Sequence, residues 1–306
     1  GQSRRAGRKS LVKKTTVLRR RLGRPETLVA PGAADPMVAR LVERAGFEAV
    51  YMTGSGTALV RHGFPDVGLV TMTEMVENAR RMADAIGIPL IADADTGYGN
   101  PLNVRRTVRE YERTGVAAIH IEDQFFPKKC GHLTGKRVIP KAEMVQKVRA
   151  ACEAREDPDF TISARCDALA VTGMEDALDR GRAYIAAGAD VLFIESPRTL
   201  VEIETIGKAF DFPLLFNMST SGKTPFLSAA DLTRLGYRIM ILPNFTTLAA
   251  MKAVREVLAE IKRVGSAATL GDRCATFAEF MDLAGLPEIQ EAERRYGLPE
   301  DARTRI

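Results

Sequence analysis

Between Phe126 and His132 the chain reads Phe-Pro-Lys-Lys-Cys-Gly-His, setting the thiol of Cys130 against two cations, a glycine and an imidazole. Neighbouring positive charge lowers a thiol's pKa, so Cys130 is expected to be partly thiolate and to exchange a proton near neutral pH. Upstream, the apolar run Pro89–Ala92 ends in Asp93-Ala94-Asp95-Thr96-Gly97-Tyr98-Gly99, two carboxylates followed by a glycine-rich turn. Hard oxygen donors at a strand exit suit Mg2+, with Mn2+ as the alternative. Paired aspartates are also ordinary helix caps and turn formers. Glu122, ending the next apolar run, and the cation-flanked thiol beyond it tip the balance to a metal site.

Chemistry of this kind needs a scaffold that brings several strand ends to one mouth. Eight short apolar runs recur along the chain: Leu28–Pro31, Ala49–Thr53, Leu90–Asp93, Ala118–Glu122, Thr161–Arg165, Val191–Glu195, Leu214–Asn217 and Ile239–Pro243. Segments of helical spacing separate them, among them Met75–Ala85, Leu102–Thr114, Lys141–Ala154, Met174–Ala187 and Ala229–Leu235. Strand–helix alternation of this order specifies an α/β fold with a parallel sheet, and eight repeats specify a closed (β/α)8 barrel of the TIM type. In such barrels the chemistry gathers at the C-terminal strand ends. Those ends are polar here: Tyr51, Thr53, Gly54 and Ser55, then Asp93 and Asp95, Glu122, Arg165, Glu195 and Asn217. Thr246–Ile261 and Thr276–Tyr296 add helical spacing beyond the eighth strand, and are expected to form an arm that packs on another subunit.

Composition narrows the possibilities. A chain of 306 residues with 45% apolar content can bury a full core as one domain. Cys130, Cys152, Cys166 and Cys274 lack the paired spacing of a disulfide framework or a zinc site. No apolar run approaches the roughly 18 residues that span a bilayer, and the chain reads as cytoplasmic. Ten of the 44 Lys and Arg residues fall in residues 1–24 with no acid, leaving 34 against 39 acidic residues in 25–306. The expected organisation is a solvated basic arm (1–24), a catalytic barrel (25–264) and a helical C-terminal arm (265–306). A basic arm could touch a nucleic acid or an anionic membrane, but such an arm is more often a solvated, frayed terminus, so neither is the expected partner.

With these motifs the chain resembles the isocitrate lyase and phosphoenolpyruvate mutase superfamily over roughly residues 12–295. The Lys-Lys-Cys-Gly-His motif places the resemblance in the carbon–carbon lyase branch, with 2,3-dimethylmalate and methylisocitrate lyases. The resemblance implies a Mg2+ requirement, a mobile loop carrying the cysteine, and homo-oligomers, a dimer of dimers, built by exchanging C-terminal helices. Asp93 and Asp95 match its metal carboxylates, Glu122 completes the shell through water, and Asp66 is a further outer carboxylate. Cys130 matches the acid that protonates the departing carbanion, and Arg165 the cation near the developing charge. Lys129 is a second cation for that charge, with Tyr51 and His132 close by. Thr53, Gly54 and Ser55 hold the 2-oxo-acid half, Glu195, Asn217 and Ser219 line the other, and Gly131 is a further substrate-binding residue.

The substrate expected on this basis is a dicarboxylate, a substituted malate such as 2,3-dimethylmalate, split to a 2-oxo acid (pyruvate) and a carboxylate. After the eighth strand the chain runs Pro243-Asn244-Phe245-Thr246-Thr247-Leu248-Ala249-Ala250, with no cation until Lys252, where methylisocitrate lyases carry an arginine. A third carboxylate there would be buried unpaired at high cost. Methylisocitrate remains an alternative if Lys223 or Arg273 supplies the charge. Oxaloacetate hydrolysis or decarboxylation, or chemistry on a phosphonate, is a further alternative, the last disfavoured by Cys130.

Overall fold

The computed structural model describes residues 12–221 and 223–305. Helix α1 (Lys14–Leu22) precedes the repeats β1 (Leu28–Ala33), α2 (Pro36–Arg44), β2 (Val50–Met52), α3 (Gly54–His62), α4 (Met72–Ala85), β3 (Leu90–Asp93), α5 (Pro101–Glu112) and β4 (Ala118–Glu122). The chain continues through α6 (Lys141–Ala154), β5 (Thr161–Cys166), α7 (Met174–Ala186), β6 (Val191–Ile194), α8 (Leu200–Ala209), β7 (Leu214–Asn217), α9 (Ala229–Arg234) and β8 (Tyr237–Leu242). It ends with α10 (Phe245–Val264), α11 (Phe277–Ala284) and α12 (Leu286–Arg295).

Among the described residues the eight strands pair in parallel, in sequence order, and close as a barrel through β1 and β8, with Leu28 opposite Ile239 and Pro31 opposite Leu242. All eight strands expected from the apolar runs form. Alternation along each strand divides the core in two. One set, including Met52, Leu90, Ile119, Ile162, Leu192 and Phe216, packs outward against the helices. The other, including Leu28, Tyr51, Ile91, Ala118, Phe193, Leu215 and Ile241, fills the lumen. The inward phase carried one step further along the strands reaches Asp93, Glu122, Arg165, Glu195 and Asn217.

Helix starts are fixed locally. Asp35 accepts the Val38 N–H ahead of Pro36, and Thr71 with Glu74 forms a reciprocal capping box at the head of α4. The same device recurs as Thr199 with Glu202 and Ser228 with Asp231.

Two expectations need correction. The arm expected to be solvated over residues 1–24 is helical from Lys14 to Leu22, and Leu18 and Leu22 are buried with the lumen residues, closing the barrel floor. Apolar spacing explains this: Leu18 and Leu22 lie four apart, on one helix face, while Arg19, Arg20 and Arg21 cluster beside them. Residues 1–11 lie outside the described residues. The single helical segment expected over Thr276–Tyr296 breaks at Gly285, whose φ of 91° no helix accommodates, into α11 and α12.

Candidate active site

Burial at the mouth begins with carboxylates. Asp93 ends β3, 4% exposed, and its Oδ1 accepts the Asp95 N–H at 2.8 Å and lies 3.3 Å from His120 Nε2. Burial alone would raise its pKa, yet His120, Lys128 and Arg165 hold it well below the usual carboxylate range. Asp95, at φ 46°, is pushed up to about 6 by burial and by the neighbouring Asp93 and Asp66, against the pull of Lys128. Glu122, fully buried at the end of β4, is raised by desolvation although Arg165 Nη1 stands 3.1 Å away.

Lys128 was not among the residues singled out from sequence, yet its ammonium is the cation of this cluster. At 2% exposure it lies 2.5 Å from Asp66 Oδ1 and 2.7 Å from Asp95 Oδ1. Lys129, the expected cation, faces the other way: its Nζ donates to the Gly135 carbonyl at 3.0 Å in an exposed setting. Two adjacent lysines in an extended segment point to opposite sides, and nothing in Lys-Lys tells which side is inward.

Cys130 follows, half-buried, its N–H donating to the Asp66 carbonyl at 3.1 Å. Its thiol pKa is raised, not lowered as expected: burial is the largest cause, Asp66 and Glu195 add to it, and the His132 backbone N–H and Arg165 only partly oppose them. The two lysines that suggested a thiolate are spent elsewhere. Gly131 is required by space, since a Cβ there would stand 2.5 Å from Arg165 Nη2 and 2.9 Å from the Glu195 carboxyl carbon. Its carbonyl accepts from Ser196 Oγ at 3.0 Å. His132 meets Ser221 Oγ through Nδ1 at 2.8 Å, and its Nε2 lies 3.4 Å from Glu195.

The far wall is built from β5, β6 and β7. Arg165 donates to both oxygens of Asp167, at 2.9 and 3.0 Å, approaches Glu195 at 3.5 Å, and lies over the Phe193 ring at 5.2 Å. Asn217 Nδ2 donates to Glu195 at 3.1 Å. Burial would raise the Glu195 pKa, but Arg165, His132 and Lys136 hold it down. On the near wall Thr53 caps α3 by accepting the Gly56 N–H, and Asn244 ties the cap to Ser55 at 2.8 Å. Gly54 and Ser55, the first residues of α3, line the pocket, and a helix N-terminus there favours an anion. Tyr51 Oη meets His120 Nε2 at 3.2 Å. The histidine therefore bridges Tyr51 and Asp93.

These side chains enclose a cavity of about 50 Å³ lined by Tyr51, Thr53, Gly54, Ser55, Asp66, Asp93, Cys130, Gly131, His132, Arg165, Glu195, Asn217 and Ser219 among others. Arg273 is not brought there; it is exposed, 3.9 Å from Glu256. Lys223 reaches the rim, but its Nζ donates to the His132 carbonyl at 2.7 Å.

A hard cation fits this donor set. Both Glu122 carboxyl oxygens and Asp95 Oδ1 are buried without a properly oriented hydrogen bond, an arrangement that a charge-dense ligand relieves. Among the described residues no three His, Cys, Asp or Glu side chains converge at ligation distance, and Lys128 supplies the nearest positive charge to Asp95.

Comparison with known proteins settles the family. Residues 18–262 match the family described as phosphoenolpyruvate phosphomutase. The chain belongs to that family. The 2,3-dimethylmalate lyase of Eubacterium barkeri is 48% identical over 279 residues, covering 91% of this chain and 96% of that protein. The 2-methylisocitrate lyase of Aeropyrum pernix is 42% identical over 287 residues, covering 94% and 92%. A solved phosphonopyruvate hydrolase in complex with oxalate and Mg2+ superposes with a TM-score of 0.85 at 35% identity, covering 93% of this chain and 99% of that one. The family contains carbon–carbon lyases, and this chain is an enzyme of that kind. No helix among the described residues is long and apolar enough to cross a membrane.

Proposed function

We propose that the protein is a Mg2+-dependent lyase that splits a substituted malate, with 2,3-dimethylmalate as the leading substrate, into pyruvate and a simple carboxylate. The observation that carries this reading is the cavity at the barrel mouth. Among the described residues lining it, Arg165 is the one Lys or Arg side chain. Arg165 and the head of α3 each give one substrate carboxylate a positive partner. Methylisocitrate brings a third, and neither Lys223 nor Arg273 is free in the cavity to meet it. A 42% identical methylisocitrate lyase keeps that substrate as the second reading.

Asp93, Asp95 and Glu122, with Asp66 outside them, are the residues that would hold the metal. When bound, Mg2+ supplies the positive charge that lowers the pKa of a 2-hydroxyl group and orients it with the adjacent carboxylate. Gly54 and Ser55 offer N–H groups to that carboxylate, and Thr53 keeps the helix head in place. Tyr51 remains protonated, because burial and Asp93 raise its pKa. With the Nε2 proton of His120 directed to Asp93, the phenolic proton is free to point at the oxygen that gathers charge. The 2-hydroxyl loses its proton to solvent and its oxygen's electron pair becomes the carbonyl bond of pyruvate; as the bond between C2 and C3 breaks, its electron pair passes to the leaving fragment, a carboxylate-stabilised carbanion. Arg165, fixed by Asp167, balances that charge. Cys130 then delivers its proton to the carbon. A raised thiol pKa serves this role better than the lowered one expected, since an acid must carry its proton before it can give it. Gly131 and His132 keep water out while this happens.

The C-terminal arm supports an oligomer. None of the 20 residues of α10 is buried, and Leu248, Met251, Val254 and Leu258 lie exposed along it, as do Phe277 and Phe280 of α11. A soluble chain seldom leaves so much apolar surface bare. Exchange of these helices between subunits, giving a dimer of dimers, would cover it; light scattering at the monomer mass of 33.4 kDa would rule it out. The substrate is tested by following pyruvate release from 2,3-dimethylmalate, 2-methylisocitrate and malate, with Mg2+ and with EDTA. EDTA-sensitive release from dimethylmalate alone is expected; faster release from methylisocitrate overturns the dicarboxylate reading.

A further inference from the structure

Gln124 lies two residues beyond β4, 1% exposed, where the chain leaves the barrel to form the Cys130 loop. The neck of that loop is narrow. Gln124 pairs with Val138 in an antiparallel bridge, the Phe125 N–H donates to the Arg137 carbonyl at 2.8 Å, and the Ile139 N–H to the Asp123 carbonyl at 2.9 Å. Backbone bonding therefore secures the two ends of the excursion, and at its tip the Cys130 N–H donates to the Asp66 carbonyl at 3.1 Å. The Gln124 side chain reaches across to the tip. Its Oε1 accepts the Lys129 N–H at 2.9 Å, and its Nε2 donates to the Lys129 carbonyl at 2.8 Å. One amide thus grips both polar groups of the residue directly before Cys130, fixing the direction in which the chain enters the thiol.

The same Nε2 lies 3.3 Å from Asp167 Oδ1. That oxygen also accepts from Arg165 Nη2 at 3.0 Å and from Lys136 Nζ at 2.8 Å. Lys136 belongs to the returning limb of the loop, and its side chain is buried at 3% exposure. Asp167 is therefore a common anchor for Arg165, for the returning limb and, through Gln124, for the outgoing one. A tip that moves away from the barrel gives up the Gln124 clasp on Lys129.

We infer that Gln124 is a positioning residue for Cys130: its amide clasps Lys129 and joins the loop to the Asp167 carboxylate that also aims Arg165, so that proton donor and charge-balancing cation are set as a pair. The inference rests on the proposed role of Cys130 as acid. It assigns no substrate contact to Gln124. Loss of two buried hydrogen bonds of ordinary strength changes the population of a conformer by about tenfold or more.

The test compares the wild-type enzyme with Gln124→Met, which preserves the length of the side chain and removes both bonds. Alkylation of Cys130 by iodoacetamide is followed by peptide mass spectrometry, with exposed Cys274 as internal reference, and kcat and KM are measured alongside. The expected result is alkylation of Cys130 about tenfold faster relative to Cys274, with kcat about tenfold lower and KM within twofold of wild type. Either change without the other overturns the proposal. So does a general rise in alkylation that includes buried Cys166, which would mark a loosened fold. If Gln124→Met does not yield soluble protein, Gln124→Glu is read in the same way, because it sets an acceptor against the Lys129 carbonyl and Asp167. Alkylation needs no substrate. If Cys130→Ala retains full turnover, the acid assignment fails, while the labelling still reports whether Gln124 holds the loop.

Discussion

Arg165 and Asp167 face each other through two parallel hydrogen bonds, 2.9 and 3.0 Å, with the carboxylate wholly buried. The two residues stand on either side of Cys166 at the end of β5, so their backbone positions are fixed by the barrel and their side chains by each other. Asp167 also accepts from Lys136 and sits beside Gln124, and the arginine extends from it toward Glu122 and Glu195. A guanidinium held this way cannot swing, and its charge is directed at one point in the cavity.

Replacing Arg165 by lysine keeps a charge but gives up the bidentate fork. The expected outcome is a loss of about 100-fold or more in kcat/KM, since a preorganised charge partner is worth about 3 kcal/mol in a transition state. Steady-state kinetics decide it; a loss below fivefold would mean that the fork does not matter.

Cys130→Ala is expected to abolish turnover while a non-cleavable dicarboxylate still binds, as measured by calorimetry. The pH profile follows from the sign of the shift. Cys130 acts in its protonated form and its pKa is raised. Activity should therefore persist through the pH range in which a free thiol ionises, near about 8.5, and fall only at higher pH. A basic limb centred below pH 7.5 would contradict the role of acid.

Gly131→Ala introduces a Cβ against Arg165 Nη2 and the Glu195 carboxyl carbon. The loop is then expected to stand away from the barrel mouth. Activity should drop by about 100-fold, comparable to losing a well-placed proton donor, while the urea midpoint stays at the wild-type value. A coupled fall in both would show that the clash is absorbed by the fold instead.

Chelation with EDTA is expected to remove activity reversibly, with Mg2+ restoring it. Asp93→Asn and Glu122→Gln should weaken that restoration by at least about tenfold in the Mg2+ concentration required, the usual effect of losing a metal ligand or its close support. Activity that survives exhaustive chelation would dispose of the metal assignment.

Leu18→Ala empties a fully buried position on the barrel floor, far from the loop. The expected cost is about 3 kcal/mol of stability from lost burial and the cavity left behind, read as a lower urea midpoint with kcat unchanged. No change in midpoint would return α1 to the role of a loose arm.

The eight strands, the carboxylates at their ends and the thiol of the Cys130 loop were all legible in the amino-acid sequence. Each is carried by a local signal: alternation or an apolar run for a strand, a polar residue at its exit, a glycine where the chain must turn or approach closely. Chemistry gathers at the C-terminal strand ends of a barrel, so Asp93, Glu122, Arg165 and Asn217, each ending a strand, could be placed together before any distance was known. Which lysine of Lys128-Lys129 enters the carboxylate cluster, whether Cys130 gains or loses acidity, and that Gln124, Lys136 and Asp167 share one anchor were decided only by the tertiary structure. In a loop without periodicity the phase of each side chain is set by what it meets, and a pKa by how much water is excluded. Both depend on residues far along the chain, as when Lys128 meets Asp66 or Lys136 meets Asp167. Local sequence fixes the kind of group at each position; the closed barrel and its folded loop fix its neighbours, and those neighbours set its chemistry.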